Sequence, residues 1–248
     1  MAVLVTRPGE QGETLVKMLN NIGIAALHLP LFNINSGEQL NQLPNKISAL
    51  NAGDYVFAVS RNAADYAAQT LTNAGFRWRE DLVYFSVGRQ SAAHLSALSE
   101  QPVHYPCGQE SSEGLLALSA MQRLEGKRIL ILRGNGGREY FAEQAALRGA
   151  QTETLECYRR QPIEYDNIQQ TSICKRAGIQ TLIVTSGEIL NSLIAFVPES
   201  EYDWLKQCRL ITVSRRIERE AIAFGWHNTI IAAGADNNSL LQAVLTAS

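Results

Sequence analysis

Short apolar runs alternate along this chain with amphipathic stretches. Several of the runs end on a small hydroxyl residue or lead into glycine, where the first turn of a helix begins. The clearest are Tyr55 to Ser60 before Arg61 to Asp65, Leu182 to Ser186 before Gly187 to Leu190, and Leu210 to Ser214 before Arg215 to Glu218. A fourth, Arg128 to Arg133, runs into Gly134 to Arg138. The runs lack polar alternation, as strands do when helices cover both faces of a parallel sheet. Such sheets bind ligands at the carboxyl ends of their strands, where helix N-termini offer unpaired N–H groups and a positive dipole end. Several of these junctions facing one cleft predict a site for an anion with many arms.

The same pattern predicts strands over 2–6, 24–30, 54–60, 82–87, 103–105, 127–133, 151–160, 181–185, 209–213 and 229–233. Helices are predicted over 10–22, about 38–50, 62–74, 89–99, 111–124, 137–148, 167–177, 187–196, 215–224 and 237–246. Regular alternation means α/β with parallel sheets, and about ten strands divide better into two sheets than one. Two extended stretches, Leu29 to Asn35 and Thr154 to Ile163, stand out as crossings between lobes. Pairing them gives a two-stranded β-ladder hinge over about 31–35 and 156–161. One discontinuous α/β lobe then comprises 1–35 plus 162–248, and residues 36–156 form a second, inserted α/β lobe, with the active site expected in the inter-lobe cleft.

At 248 residues and 46% hydrophobic content the chain has ample material for packed cores. Lys plus Arg is 22 and Asp plus Glu is 24, a net charge of −2, so a general nucleic-acid surface is not expected and any anion site must be local. No apolar run is long enough to span a bilayer, and the first residues read as a strand with no charged leader, which predicts a cytoplasmic protein without membrane association. Cys107, Cys157, Cys174 and Cys208 are widely spaced, and His28, His94, His104 and His227 are equally scattered. Reduced structural thiols and no metal site are therefore expected. Gly134-Asn-Gly-Gly137 lacks both the Gly-Lys-Ser/Thr ending of a phosphate loop and the spacing of a dinucleotide fingerprint. Trp78, Trp204 and Trp226 read as packing.

Taken in order, Leu4-Val-Thr-Arg-Pro8, Pro30-Leu-Phe32, Val59-Ser-Arg-Asn-Ala63, Val87-Gly88, Ser111-Ser-Glu-Gly-Leu115, Leu132 to Glu139, Cys157-Tyr-Arg159, Thr185-Ser-Gly187 and Val213-Ser-Arg215 carry a resemblance. Along essentially its whole length the chain resembles the uroporphyrinogen-III synthase family, in its bacterial, enterobacterial-like branch. Each fragment alone is common in α/β proteins, whereas their order and spacing together are specific.

The resemblance implies a cofactor-free lyase of tetrapyrrole and haem synthesis. Its substrate is hydroxymethylbilane, a linear tetrapyrrole whose terminal hydroxyl leaves as water. The macrocycle closes through a spiro intermediate with the last pyrrole inverted, giving uroporphyrinogen III. It also implies two α/β lobes joined by a two-stranded ladder. The substrate carries an acetate and a propionate on every pyrrole, which a chain of charge −2 must meet with directed donors. The expected binding positions are Thr6, Arg7, Ser60, Asn62, Gly88, Ser91, Arg133, Gly134, Arg138, Ser186, Gly187, Ser214 and Arg215, with the arginines adding charge-assisted bonds. Against this, each serine has an ordinary role as the N-cap of its own helix, and the two roles are compatible.

Tyr158 is the expected general acid: a phenol stays neutral at pH 7 and donates to the departing hydroxyl. The competing reading is a packed Tyr with its hydroxyl bonded to backbone. Two other functions fit the same fold, a non-catalytic two-lobe binding module for a small polyanion and a nucleotide- or sugar-phosphate enzyme. A monomer is expected. Whether the preceding pathway enzyme hands over the bilane is open.

Overall fold

The computed structural model describes residues 2–246. Its strands are Ala2–Val5 (β1), Ala25–His28 (β2), Phe32–Ser36 (β3), Tyr55–Ala58 (β4), Val83–Ser86 (β5), Val103–His104 (β6), Arg128–Gly134 (β7), Gln151–Pro162 (β8), Ile179–Ile183 (β9), Arg209–Thr212 (β10) and Thr229–Ile231 (β11). The helices are Gly9–Asn21 (α1), Leu43–Ser48 (α2), Arg61–Asn73 (α3), Arg89–Ser99 (α4), Ser112–Leu116 (α5), Tyr140–Leu147 (α6), Asn167–Arg176 (α7), Gly187–Phe196 (α8), Tyr202–Gln207 (α9), Arg215–Phe224 (α10) and Asn237–Thr246 (α11). The chain divides into two compact units, Met1–Ile34 with Gln161–Ser248, and Asn35–Arg160.

The first unit is built on a five-stranded sheet in the order β11-β10-β9-β1-β2, every pair parallel. Along β1, Val3 and Val5 join one apolar cluster and Leu4 joins another; Ile183 and Leu182 of β9 divide in the same way. Successive side chains of a strand point to opposite faces, so both faces of this sheet are covered, as the lack of polar alternation predicts. β2 is the exception, with alternating exposure, because it lies at the sheet edge.

The second unit is built on the six-stranded sheet β3-β8-β7-β4-β5-β6, of which the first residues of β3 and the last of β8 belong to the first unit. The pairs β4–β5, β4–β7, β5–β6 and β7–β8 are parallel. At the two ends of the β3–β8 neighbourhood, the Ile163 N–H donates to the Leu31 carbonyl and the Gly37 N–H to the Cys157 carbonyl. As one strand advances the other retreats, which is antiparallel pairing. The chain passes between the units within these two strands. Helix α3 buries Ala63, Ala64, Ala67, Ala68 and Leu71, and this small-residue stripe lets it lie close on its neighbours.

Two predicted helices change form. The stretch expected over 111–124 is α-helical only to Leu116; Leu118 is extended at φ −62°, ψ 145°, and Ser119–Met121 form a single 3₁₀ turn. The Arg148 guanidinium donates to the Leu116 and Met121 carbonyls, and the Gln122 amide donates to those of Leu116 and Leu118. Side chains thus satisfy the groups that a continuing helix would have used. The helix expected from 137 starts only at Tyr140, since Gly136 and Gly137 take φ values of 132° and 100° in a loop wrapped round the Arg133 side chain.

Candidate active site

At the carboxyl end of the second unit's sheet, Ser60 stands between β4 and α3 with its hydroxyl accepting from the Ala63 N–H at 3.3 Å. That bond is an N-cap, and it uses the oxygen as acceptor while leaving the proton for another partner. The partner is Tyr158, whose phenolic oxygen receives the Ser60 hydroxyl at 3.2 Å. It also receives a guanidinium N–H of Arg160 at 3.0 Å, and the same guanidinium lies 5.1 Å from the Tyr158 ring centroid. Tyr158 is 2% exposed and stacks on Tyr66 with ring centroids 6.4 Å apart. Tyr158 is thus a packed ring, but its hydroxyl partners are side chains rather than backbone.

Tyr158 reaches this position through a β-bulge. β7 and β8 pair in step as far as Arg133 opposite Glu156, and the next pair is Gly134 opposite Tyr158, with Cys157 the extra residue. The ring then crosses Gly134 so closely that a Cβ there would lie 2.7 Å from ring carbons Cε2 and Cζ. Burial pushes the Cys157 thiol up to about 12, so it stays an inert packing group. Asn135 continues the pairing beyond the strand: its side-chain oxygen accepts from the Arg160 N–H at 2.7 Å and its amide donates to the Arg160 carbonyl at 3.2 Å.

The two arginines of this unit expected to bind substrate, Arg133 and Arg138, have partners within the protein. Arg133 donates to Glu139 at 2.6 Å and to the Gly136 and Gly137 carbonyls, shaping its own loop. Arg138 forms a two-armed pair with Glu113 at 2.8 and 3.2 Å. Its hydrogen bonds hold the Glu113 carboxyl down to about 2. A folded value below the unfolded one stabilises above the ordinary carboxylate range and is lost as pH falls through the folded value. Arg138→Gln is accordingly expected to raise the Glu113 titration midpoint toward 4.5. Side-chain carboxyl NMR would read that shift, and an unmoved midpoint would contradict the pairing.

Gly88 is the N-cap of α4 and has no side chain to cap it. The Glu110 carboxylate fills that role, accepting from the Arg89 N–H at 3.1 Å and lying where a Cβ of residue 88 would be. Asn62 and Ser91 are half-buried in the first turns of α3 and α4.

In the first unit the Thr6 hydroxyl is buried and donates to the Ile183 carbonyl at 2.7 Å, tying β1 to β9. Arg7 donates to the Ala235 carbonyl at 2.6 Å, to Asn237 at 3.0 Å and to Gln11, which fastens the β1–α1 loop to the start of α11. Ser186 and Ser214 cap α8 and α10 through the Ile189 and Ile217 N–H groups at 3.2 and 3.4 Å. Gly187 is buried at the start of α8, close to Arg216 and Glu220, and Arg215 is exposed. Of the predicted positions, Ser60, Gly134 and Tyr158 form one contiguous cluster. Arg160 and Glu110 join the two second-unit junctions from positions that strand-end patterning does not reach.

The family model "Uroporphyrinogen-III synthase HemD" matches residues 13–242. A protein of Escherichia coli (strain K12) named uroporphyrinogen-III synthase is 40% identical over 245 residues, 98% of this chain and 100% of that one. The chain belongs to the uroporphyrinogen-III synthase family. Two structures of Thermus thermophilus uroporphyrinogen III synthase, one of a mutant form, share its fold. They match at TM-scores of 0.75 and 0.52 and 17% and 16% identity, over 100% of this chain and 98% and 99% of theirs. The activity is that of a uroporphyrinogen-III synthase, in porphyrin and haem synthesis, and nothing favours a non-catalytic binding module. No helix among the described residues of this synthase is long and apolar enough to cross a membrane.

Proposed function

We propose that this synthase works as a cofactor-free, cyclising hydro-lyase on hydroxymethylbilane, with Tyr158 as the general acid. The observation that carries the assignment is the phenol held by two side-chain donors beside the first turn of α3. The phenolic proton passes to the terminal hydroxyl, the carbon–oxygen bond breaks, and water leaves an azafulvene cation. The substituted carbon of the last pyrrole attacks it to give the spiro intermediate, which fragments and recloses. The ring carbon that closes the macrocycle then loses one proton, which restores the phenol, so one proton goes out and one returns.

An electron-rich pyrrole stabilises the cation itself, so the protein has only to supply a modest acid, a template and exclusion of water. The substrate carboxylates are taken by first-turn N–H groups at the junctions of Thr6, Ser60, Asn62, Gly88, Ser91, Ser186, Gly187 and Ser214 and by the strand end at Gly134, with Arg215 as an exposed cation. Arg7, Arg133 and Arg138 shape the loops around them, and their guanidinium N–H groups add charge-assisted bonds to the substrate carboxylates. At the Gly88 junction the Glu110 carboxylate has to give way to a substrate carboxylate. We place the protein in the cytoplasm as a monomer.

Freshly made hydroxymethylbilane tests this reading. The protein without added metal or cofactor should yield the type III ring, where spontaneous closure gives type I. Unchanged isomer ratios in the presence of chelator-treated protein would overturn the cofactor-free mechanism.

A serine series separates capping from chemistry. Ser186→Ala and Ser214→Ala are expected to lower turnover less than about tenfold, since backbone donors survive, and to cost about 1 kcal/mol of stability each as lost caps. Denaturant unfolding and steady-state rates check both. A loss of several orders of magnitude in a folded variant would make that hydroxyl catalytic.

A further inference from the structure

We propose that Arg160 and Ser60 are positioning residues that orient the Tyr158 hydroxyl as a proton donor. The proposal rests on Tyr158 being the acid. A phenolic oxygen offers two acceptor positions and one O–H. The Ser60 hydroxyl and the Arg160 guanidinium take the two acceptor positions, at 3.2 and 3.0 Å. With its oxygen accepting from the Ala63 N–H, Ser60 has its proton available to donate in that pair. In that arrangement the O–H of Tyr158 is the hydrogen-bonding function left for a ligand.

Arg160 adds a second effect. When the proton leaves, negative charge develops on the oxygen that the guanidinium already touches, and a charged donor in place beforehand stabilises it without reorganisation. The reciprocal bonds between the Asn135 side chain and the backbone of Arg160 hold that residue beside the bulge that carries Tyr158. Because those bonds use the Arg160 main chain, replacing its side chain leaves the strand anchored.

The experiment compares Arg160→Gln, Arg160→Lys and Ser60→Ala, each alone and with Tyr158→Phe, in single-turnover rate, KM and type III yield. The labelled Tyr158 Cζ chemical shift gives a readout that packing alone does not move. Arg160→Gln and Ser60→Ala are each expected to slow the single turnover by about tenfold to a hundredfold, the range for a hydrogen bond that involves a charged group or strengthens as charge develops. KM should hold within about threefold, the Cζ shift should move, and Arg160→Lys should recover part of the rate. With Phe at 158 neither change should cost anything further, because both act through the phenol. Normal turnover of both variants beside a slow Tyr158→Phe would overturn this inference and leave the acid assignment standing. An equal loss from Arg160→Gln with Phe at 158 would also overturn it, by making Arg160 an independent substrate contact. Normal turnover of Tyr158→Phe itself would instead remove the acid, and this proposal with it.

Discussion

Tyr158→Phe is expected to slow the chemical step by about 10²-fold or more, the lower range for a general acid in a transition state, while product affinity changes little. The ring is the larger part of what the residue packs: it stacks on Tyr66, lies against Gly134 and is 2% exposed. Phe keeps all of that and removes one oxygen. What is lost is the donor to the leaving hydroxyl, together with the acceptor for Ser60 and Arg160. An interaction made only as the carbon–oxygen bond breaks lowers kcat and kcat/KM together, whereas a ground-state contact raises KM. Single-turnover rates measured beside uroporphyrinogen affinity distinguish these. Equal losses in both would reassign Tyr158 as a binding residue, and an unchanged rate would exclude it from the mechanism.

Much of this arrangement is local chemistry and is therefore visible in the sequence. Ser60, Ser186 and Ser214 cap their helices through N–H groups three residues on, so an apolar run ending in Ser is enough to place both the strand end and the helix start. Strands such as Ala2–Val5 and Tyr55–Ala58, buried throughout, announce a sheet covered on both faces. What the pattern misses is long in sequence separation. Glu110 reaches the α4 N-terminus from 21 residues away. Arg160 is only two residues from Tyr158, but where that phenol sits depends on the bulge at Cys157, which forms as β7 pairs with the distant β8.

The arginines show the limit most clearly. Arg7, Arg133 and Arg138 look like anion ligands from their places beside strand ends, but each has carbonyls or a carboxylate of the protein within reach. Local sequence does not say which partner a guanidinium takes. Helix α9 leaves no mark in the pattern for a related reason: its six residues bury only Leu205, too little periodicity to register as a helix.

Gly134→Ala should damage the same step without touching a reacting group. Backbone freedom is not the issue, since Gly134 lies outside the left-handed glycines, and the constraint is space. The added Cβ would sit 2.7 Å from Cε2 and Cζ of Tyr158 and 3.1 Å from its hydroxyl oxygen, where an interior packed at crystal density has no slack. The ring cannot simply lean away, because Tyr66 stacks on it while Ser60 and Arg160 fix its oxygen. Overpacking of this kind costs about 1–3 kcal/mol of stability. A displacement of about 1 Å at the acid is enough to lower turnover about a hundredfold. The thermal midpoint and the single-turnover rate should both fall, with type III product still formed at the reduced rate. The companion measurement is Gly134→Ala with Phe already at 158. If the methyl acts by moving the phenol, the double variant is little slower than Tyr158→Phe alone, although it is less stable. Full multiplication of the two rate losses would mean that Gly134 serves the substrate directly, through its own N–H or by open space. Wild-type turnover in Gly134→Ala would show that the close approach to Tyr158 is not what sets the acid's position.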